Sequence, residues 1–527
     1  MKIAVIGAGF AGLAATKVLT QFGHDVTCFE KAPDVGGVWS RTRRYPGLST
    51  QNNKGTYALS DLPMPAHYPE WPSGAQVQEY LESYVRMFSL GDGLRLGTEV
   101  VACELAAGSG SAPAGGPGDK GARWSLRTRR TVDADADARP DAGSDPLAGT
   151  AEPESCEEFD FVVVANGIFS TPFVPSYPGA QEWEKAGGRL CAPSDVHSLD
   201  EVRGKDVLVI GYGKSSCDIA SAVAGTAAST TVVARQLIWK MPKMILGKLN
   251  FKHLMLTRLG EGLFEYHTPV GPERFLHGPG KGVRNSMLGS LESVATKQLG
   301  LAKMGLVPEG GFERIGRSTV SLTTDGFYEK ARRGLLKVVR DAQITRLLEQ
   351  AGRPMAELST GEVVPADLVI AATGWRQGVP FLSDEVQREL TDERGNFELY
   401  RFILPHTVPG LAFCGYNSSF FSPLSAEVAA LWIANYLMGG AKLPTLAERR
   451  RATQERLRWM EERTEGHHAR GTNIIPFSMH NIDECLAEIG VSVPATQRAR
   501  EWLLPVNPSD YAPVTTRLLR AKAELSR

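Results

Sequence analysis

An α/β fold built from two parallel-sheet units follows from three observations. A short apolar strand breaks into glycines and then into a small-residue helix twice, in "MKIAVIGAGFAGLAATKVL" and in "VLVIGYGKSSCDIA" from Val207 to Ala220. Each unit also owns a buried strand that an acidic residue opens and a small turn closes, "FDFVVVANG" (Phe159 to Gly167) and "ADLVIAATGW" (Ala366 to Trp375). The 527 residues, 42% hydrophobic and 22% charged, suffice for two or three cores of this kind.

The elements justify themselves in order. From Met1 to about Ser40 the pattern is strand, glycine turn, helix, second strand (Asp25 to Glu30) and a further glycine pair, a βαβ unit. Val77, Tyr80, Leu81, Tyr84, Val85 and Phe88 share one face of a helix over Ala75 to Phe88. Between Ala106 and Glu158 the chain turns rich in Ala, Gly, Pro and Asp. Such a stretch buries too little to offset its ordering entropy and reads as an insertion, with "RWSLRTRR" as one strand of a hairpin. The second glycine turn follows, then mixed helix and loop over 244–322, then a helix-to-strand pattern from Thr323 to Val339. From Pro444 the chain is helical and charged, and "LAERRRATQERLRWMEER" reads as a solvated helix face. The expected organisation is a first domain over 1–168, interrupted at 106–158, and a second over 169–335. The first domain returns over 336–440, and a helical extension covers 441–527.

Gly7, Gly9 and Gly12 satisfy G-x-G-x-x-G directly between strand and helix. The first glycine permits the tight turn, the second lets a pyrophosphate approach bare backbone, and the third lets the helix pack on the strand. The helix N-terminus then offers free N–H groups and partial positive charge to phosphate. Glu30, about twenty residues on, is placed to accept from a ribose diol. Gly211 and Gly213 repeat the design with Ser216 third, and the following strand ends in Arg235 instead of an acid. A guanidinium clamps a 2′-phosphate that a carboxylate would repel, which favours NADPH over NADH, with Lys214 or Ser215 adding to the contact. Two Rossmann-like dinucleotide-binding units therefore predict two dinucleotides. FAD goes to the first, where Gly36 and Gly37 give backbone access, and NADPH to the second.

Composition narrows the partners. A formal net charge of -1 supplies no field for nucleic acid or an anionic membrane, so a small molecule is the expected partner. The seven cysteines lack C-x-x-C spacing, which argues against a disulfide framework, a zinc site and the redox pair of a disulfide reductase. Cys217 reads as helix packing with no base nearby. A leader-like N-terminus and an apolar run of spanning length are both missing, so a cytoplasmic enzyme, monomeric or homodimeric, is expected.

The chain resembles the class B flavoprotein monooxygenases, the group of flavin-containing and Baeyer-Villiger monooxygenases. The resemblance rests on "GAGFAG", "GGVW" (Gly36 to Trp39), "YPGLSTQNNKGTYALSDLPMP", "GYGKSSCDIA" and "AATGW". It implies hydride transfer from NADPH to FAD, O2 addition at flavin C4a and transfer of one oxygen atom from the resulting (hydro)peroxyflavin to a small N, S or carbonyl substrate. It also implies site residues. Counting ten back from Asp61 gives Gln51, beside Asn52, as the catalytic amides near flavin N5 and the nicotinamide ribose. Trp39 would wall the isoalloxazine, Val100 would offer backbone to adenine, and Thr373 and Gly374 would lie where the chain crosses between domains. Ala11, Lys31, Gly37, Val38 and Ala165 complete the expected cofactor-binding set. Of the family's Phe-x-Gly-x-x-x-His only His197 survives, Cys191 and Pro193 filling the other places, which with Ser216 marks a divergent member. A flavin reductase or oxidase, or a flavin-binding scaffold with a decayed NADPH site, are the alternatives.

Overall fold

The computed structural model describes residues 1–106, 121–131, 154–316, 321–417, 419–441, 443–466 and 478–525. Two five-stranded sheets, parallel throughout, carry the architecture. The first runs Leu411–Phe413, Phe161–Val164, Lys2–Ile6, Asp25–Phe29, Leu94–Arg95. The second runs Lys337–Arg340, Ser229–Ala234, Asp206–Ile210, Leu368–Ala371, Arg189–Cys191. Each central strand feeds a glycine turn and then a helix, Phe10–Gln21 or Lys214–Val223. These strands are almost continuously apolar because both faces are covered, as parallel sheets require.

Two expectations shift. Lys337–Arg340 and Leu368–Ala371 pair in the second sheet, so the return to the first sheet comes after Ala371 and not at 336. A strand that ends in a small turn fits either sheet, and sequence pattern does not say which. The stretch 106–158 also holds more order than a loop. Trp124–Arg130 and Ser155–Phe159 extend Thr98–Leu105 into a three-stranded antiparallel sheet, with Trp124 and Leu126 fully buried. The expected insertion otherwise falls on 107–120 and 132–153, outside the described residues.

The helix Gly74–Met87 forms where its apolar spacing places it, and Ser73 with Gln76 closes a capping box at its start. The charged helix Leu446–Arg463 departs from a solvated face, because Arg449, Thr453, Arg456 and Met460 are buried at helical spacing. Arg456 lays its guanidinium 4.0 Å from the Phe402 ring and donates one N–H to the Leu399 carbonyl at 2.8 Å, so the side chain is packed and partly hydrogen-bonded inside the fold.

The same region buries His406, whose two ring nitrogens have no partner. Burial first, then Arg449, Arg450 and Arg456, push its pKa down from 6.5 to about 4. The unfolded chain therefore binds the proton that the folded one refuses, and stability falls as pH drops from 6.5 towards 4. His406→Phe is expected to remove about 1–3 kcal/mol of that acid loss. Thermal melts of both proteins across the window measure it, and parallel pH curves would contradict the assignment.

Candidate functional site

The two glycine turns are built alike, to the level of single atoms. Gly7 has φ +108°, and a Cβ there would sit 2.6 Å from the Ala165 carbonyl oxygen at the end of the neighbouring strand. Gly211 has φ +111°, and its Cβ would sit 2.6 Å from the Ala372 carbonyl oxygen. These first glycines are demanded by the fold itself. The second ones are not: Gly9 would bring a Cβ near only the Gly37 backbone, 3.6 Å from its Cα, and Gly213 would meet nothing within 4 Å. Gly12 packs its backbone onto the Gly7 carbonyl, whereas Ser216 is tolerated in the second turn because its buried hydroxyl turns back to the Gly213 carbonyl at 3.1 Å. Neither helix has a side-chain cap or an acid in its first turn. Bare glycine and uncapped helix amides are what a diphosphate needs, so both turns fit one.

Around the first turn, Glu30 is buried and its carboxylate accepts from Ala8 N–H at 2.8 Å and Ala32 N–H at 2.9 Å. Two backbone amides fix its orientation, and a carboxylate retains acceptor capacity for a diol. Lys31 is exposed, its carbonyl accepting from the Thr131 hydroxyl at 2.8 Å. Gly37 faces Gly9 backbone to backbone, and Val38 is half-buried beside it. Trp39 is buried and meets Tyr57 edge-on, 5.9 Å between ring centres. Val100 commits its side chain to the core and leaves only backbone for a ligand. Ala11 lies under Gly415, whose φ is +81° and whose Cβ would fall 2.5 Å from the Ala11 Cβ. Sequence reading passed over Gly415; its signal was the strand-then-glycine of "LAFCG".

The amides stand beside the residues that lead into the helix Ser422–Leu437. Asn52 is buried and donates from Nδ2 to the Phe420 carbonyl, just before the buried helix Ser422–Leu437. The Gln51 Oε1 is buried with no partner, an acceptor left free. Asn53 is structural, bonded to Thr56 at 2.7 Å and Glu70 at 3.1 Å.

A buried charge cluster missed by the sequence reading locks these parts together. Lys17, on the first helix, pairs with Asp61 and lies 4.0 Å from Glu427, on the helix Ser422–Leu437. Glu427 accepts from Ser60 N–H and Ser60 Oγ, both at 2.8 Å. Burial, and then Asp61, push the Glu427 pKa up, while Lys17 opposes the rise. With Lys17 and Glu427 buried and Asp61 half-buried beside them, removing the one cation is costly, on the order of 3–5 kcal/mol. Its signal was a single charge in each of two otherwise apolar helices.

Around the second turn, Ser215 is half-buried, and Lys214 is engaged by Asp218 one helical turn on instead of standing free. Arg235 is exposed immediately after Ser229–Ala234 and makes no hydrogen bond or ion pair within the described residues. Cys217 is buried in its helix beside the Lys240 ammonium, and burial holds the thiol above its ordinary pKa in spite of that cation. His197 is exposed and uses only its backbone N–H, bonded to Glu201 at 2.8 Å. Cys28 and Cys414, next to the first turn, are free thiols that burial pushes up to about 12, so no thiolate pair adjoins it.

The crossings between the sheets pair with each other. Thr171–Pro172 and Trp375–Arg376 form an antiparallel ribbon. Thr373 donates its hydroxyl to the Phe173 carbonyl, and Phe173 N–H returns to Gly374 O at 3.0 Å.

The model of the family "Flavin-binding monooxygenase-like" matches residues 1–115 and 132–269. A probable flavin-containing monooxygenase 1 of Arabidopsis thaliana is 26% identical over 510 residues, 93% of this chain and 92% of that protein. Flavin-containing monooxygenase 1 of Homo sapiens is 25% identical over 456 residues, 84% of this chain and 75% of that one. Among solved structures, caprolactone-bound cyclohexanone monooxygenase superposes with a TM-score of 0.63 at 19% identity, over 93% of this chain and 98% of that one. S-allyl-L-cysteine S-oxygenase from Allium sativum does so with 0.58 at 19%, over 100% and 98%. These likenesses carry the fold, and the family match runs through both glycine turns and the amide segment. The family match covers just under half of the chain, and together with these relatives and structures it supports a class B flavoprotein monooxygenase, an enzyme class that works with FAD and NADPH.

Proposed function

We propose that this enzyme binds FAD in the turn Gly7–Gly12 and NADPH in the turn Gly211–Ser216, and uses O2 to oxygenate a small molecule at nitrogen, sulfur or a carbonyl. The observation that carries the reading is the pair of atom-for-atom matched turns at the carboxyl ends of two parallel sheets, one followed by a carboxylate and the other by an unpaired guanidinium. In the first domain, Gly9, Gly12 and Gly37 hold the diphosphate, Glu30 the ribose, and the Val100 backbone the adenine. Ala11, Lys31, Val38 and Ala165 line the same path. Trp39 excludes water from the ring, and Gln51 and Asn52 present amide groups to it from a segment anchored on Phe420. In the second, Gly213, Ser215 and Ser216 hold the diphosphate and Arg235 the 2′-phosphate, with Thr373 and Gly374 at the crossing. When bound, the flavin supplies two-electron acceptance from the nicotinamide and activation of O2. The protein's own share is to bind, orient and keep that site dry.

The test is direct. NADPH should bleach the yellow protein without air, and in 18O2 the product should carry one labelled oxygen atom. Bleaching without labelled product would mean a reductase or oxidase, and a yellow protein that NADPH leaves unchanged would mean a scaffold. Arg235→Ala is expected to raise KM for NADPH by about tenfold or more and to leave KM for NADH nearly unchanged, since it removes one charge-assisted contact to a group NADH lacks. Equal changes for both nucleotides would refute the clamp. The same reading places the enzyme in the cytoplasm; no helix among the described residues is long and apolar enough to cross a membrane.

A further inference from the structure

Three segments far apart in the sequence meet at the N-terminal end of the helix Ser422–Leu437. Asn52 donates to the Phe420 carbonyl, and Phe421 N–H donates to Ser478 Oγ at 3.2 Å. Asn417 Nδ2 donates to Asn481 Oδ1 at 2.9 Å and to Ser425 Oγ at 3.1 Å. Ser478 and Asn481 belong to the helix Ser478–Glu488, in the C-terminal part of the chain that the family model does not cover. That helix is held in register by Glu261, whose carboxyl group accepts from Ser478 N–H and Met479 N–H, both at 3.0 Å.

Asn481 is 8% exposed, and its Oδ1 is taken by Asn417, which fixes which way the amide points. Its Nδ2 finds no acceptor among the described residues. Two other polar atoms of the same segments are buried without a partner, Ser419 Oγ and Gln51 Oε1. An amide serving only the core would be satisfied on both atoms, because a buried, unpaired N–H2 weakens the fold. An incoming oxygen would satisfy it.

We propose that Asn481 Nδ2 donates a hydrogen bond to a carbonyl-type oxygen that a bound molecule brings to this helix end, making the C-terminal segment part of the site. The proposal rests on the reading that flavin and substrate meet at Gln51 and Asn52. Such an oxygen has two sources, a carbonyl of the flavin's pyrimidine ring or a carbonyl or amide of the substrate, and the experiment separates them.

Two variants of the flavin-loaded protein serve. Asn481→Asp keeps the acceptor for Asn417 and loses the donor; Asn481→Leu removes both without adding charge. The probes are 2-(methylthio)acetamide and methyl isobutyl sulfide, which share one heavy-atom skeleton and nearly one size, the first carrying a planar amide where the second carries an apolar branch. If the substrate supplies the oxygen, wild type prefers the amide by about tenfold in kcat/KM, and both variants lose that preference, kcat/KM falling more for the amide than for the isobutyl sulfide. If the flavin supplies it, the bound flavin of both variants shifts in visible spectrum and to a more negative potential, and the ratio of the sulfides stays as in wild type. Folded, yellow variants with an unchanged ratio, spectrum and potential overturn the proposal. Should neither variant fold, a wild type that does not distinguish the two sulfides and whose FAD spectrum matches free FAD overturns it as well. A wild type without flavin overturns the cofactor reading on which this one stands.

Discussion

Gly9→Val should purify as a folded and colourless protein. A Cβ at Gly9 meets only the Gly37 backbone, at an ordinary contact distance, so the substitution is expected to leave the fold standing. The diphosphate does not, because the added carbons occupy the space between Gly9, Gly37 and the first turn of the helix. Losing two or three charge-assisted bonds to backbone amides lowers affinity by about a thousandfold or more. Gly7→Ala provides the contrast, since φ +108° and the Ala165 carbonyl forbid it before any ligand arrives. Circular dichroism and the absorbance of the purified proteins tell the two apart. A yellow Gly9→Val protein with normal flavin content would remove FAD from this turn.

Gly213→Val should give the complementary phenotype, a yellow protein that NADPH reduces on the order of a hundredfold more slowly, or not at all. Nothing among the described residues lies within 4 Å of the added Cβ, so the branch starts in open space and the fold and the first turn are expected to persist. Anaerobic stopped-flow mixing gives the rate, and dithionite bleaching of the same sample shows that its flavin is intact. Reduction by NADPH at the wild-type rate would dissociate the second turn from the nucleotide.

What the sequence made legible is what backbone geometry enforces locally. A glycine turn between strand and helix is written in adjacent residues, and so are the carboxylate or guanidinium at the end of the next strand. Both turns, Glu30 and Arg235 were readable for that reason. Long-range choices were not. The sheet that receives Leu368–Ala371 depends on a partner, Asp206–Ile210, about 160 residues earlier, and both candidate sheets would accept the same apolar strand. The Lys17, Asp61 and Glu427 cluster was hidden because each residue alone reads as an ordinary charge; only packing brings them together. Asn481 was silent for the same reason, lying among helical residues whose pattern speaks of burial and not of a ligand. In the stretch after Ala106 the strand in "RWSLRTRR" was legible and its partners were not: Trp124–Arg130 pairs with Thr98–Leu105 and with Ser155–Phe159, the second of which closes a segment whose composition speaks against order.

The ribbon of Thr171–Pro172 against Trp375–Arg376 limits how one sheet can travel relative to the other. Two independent linkers would let the nucleotide-bearing half drift in several directions. Linkers hydrogen-bonded side by side act as one strap: a displacement of either crossing is carried to the other through the paired strands and the Phe173–Gly374 bond, so the two halves of the chain are tied at one place instead of two.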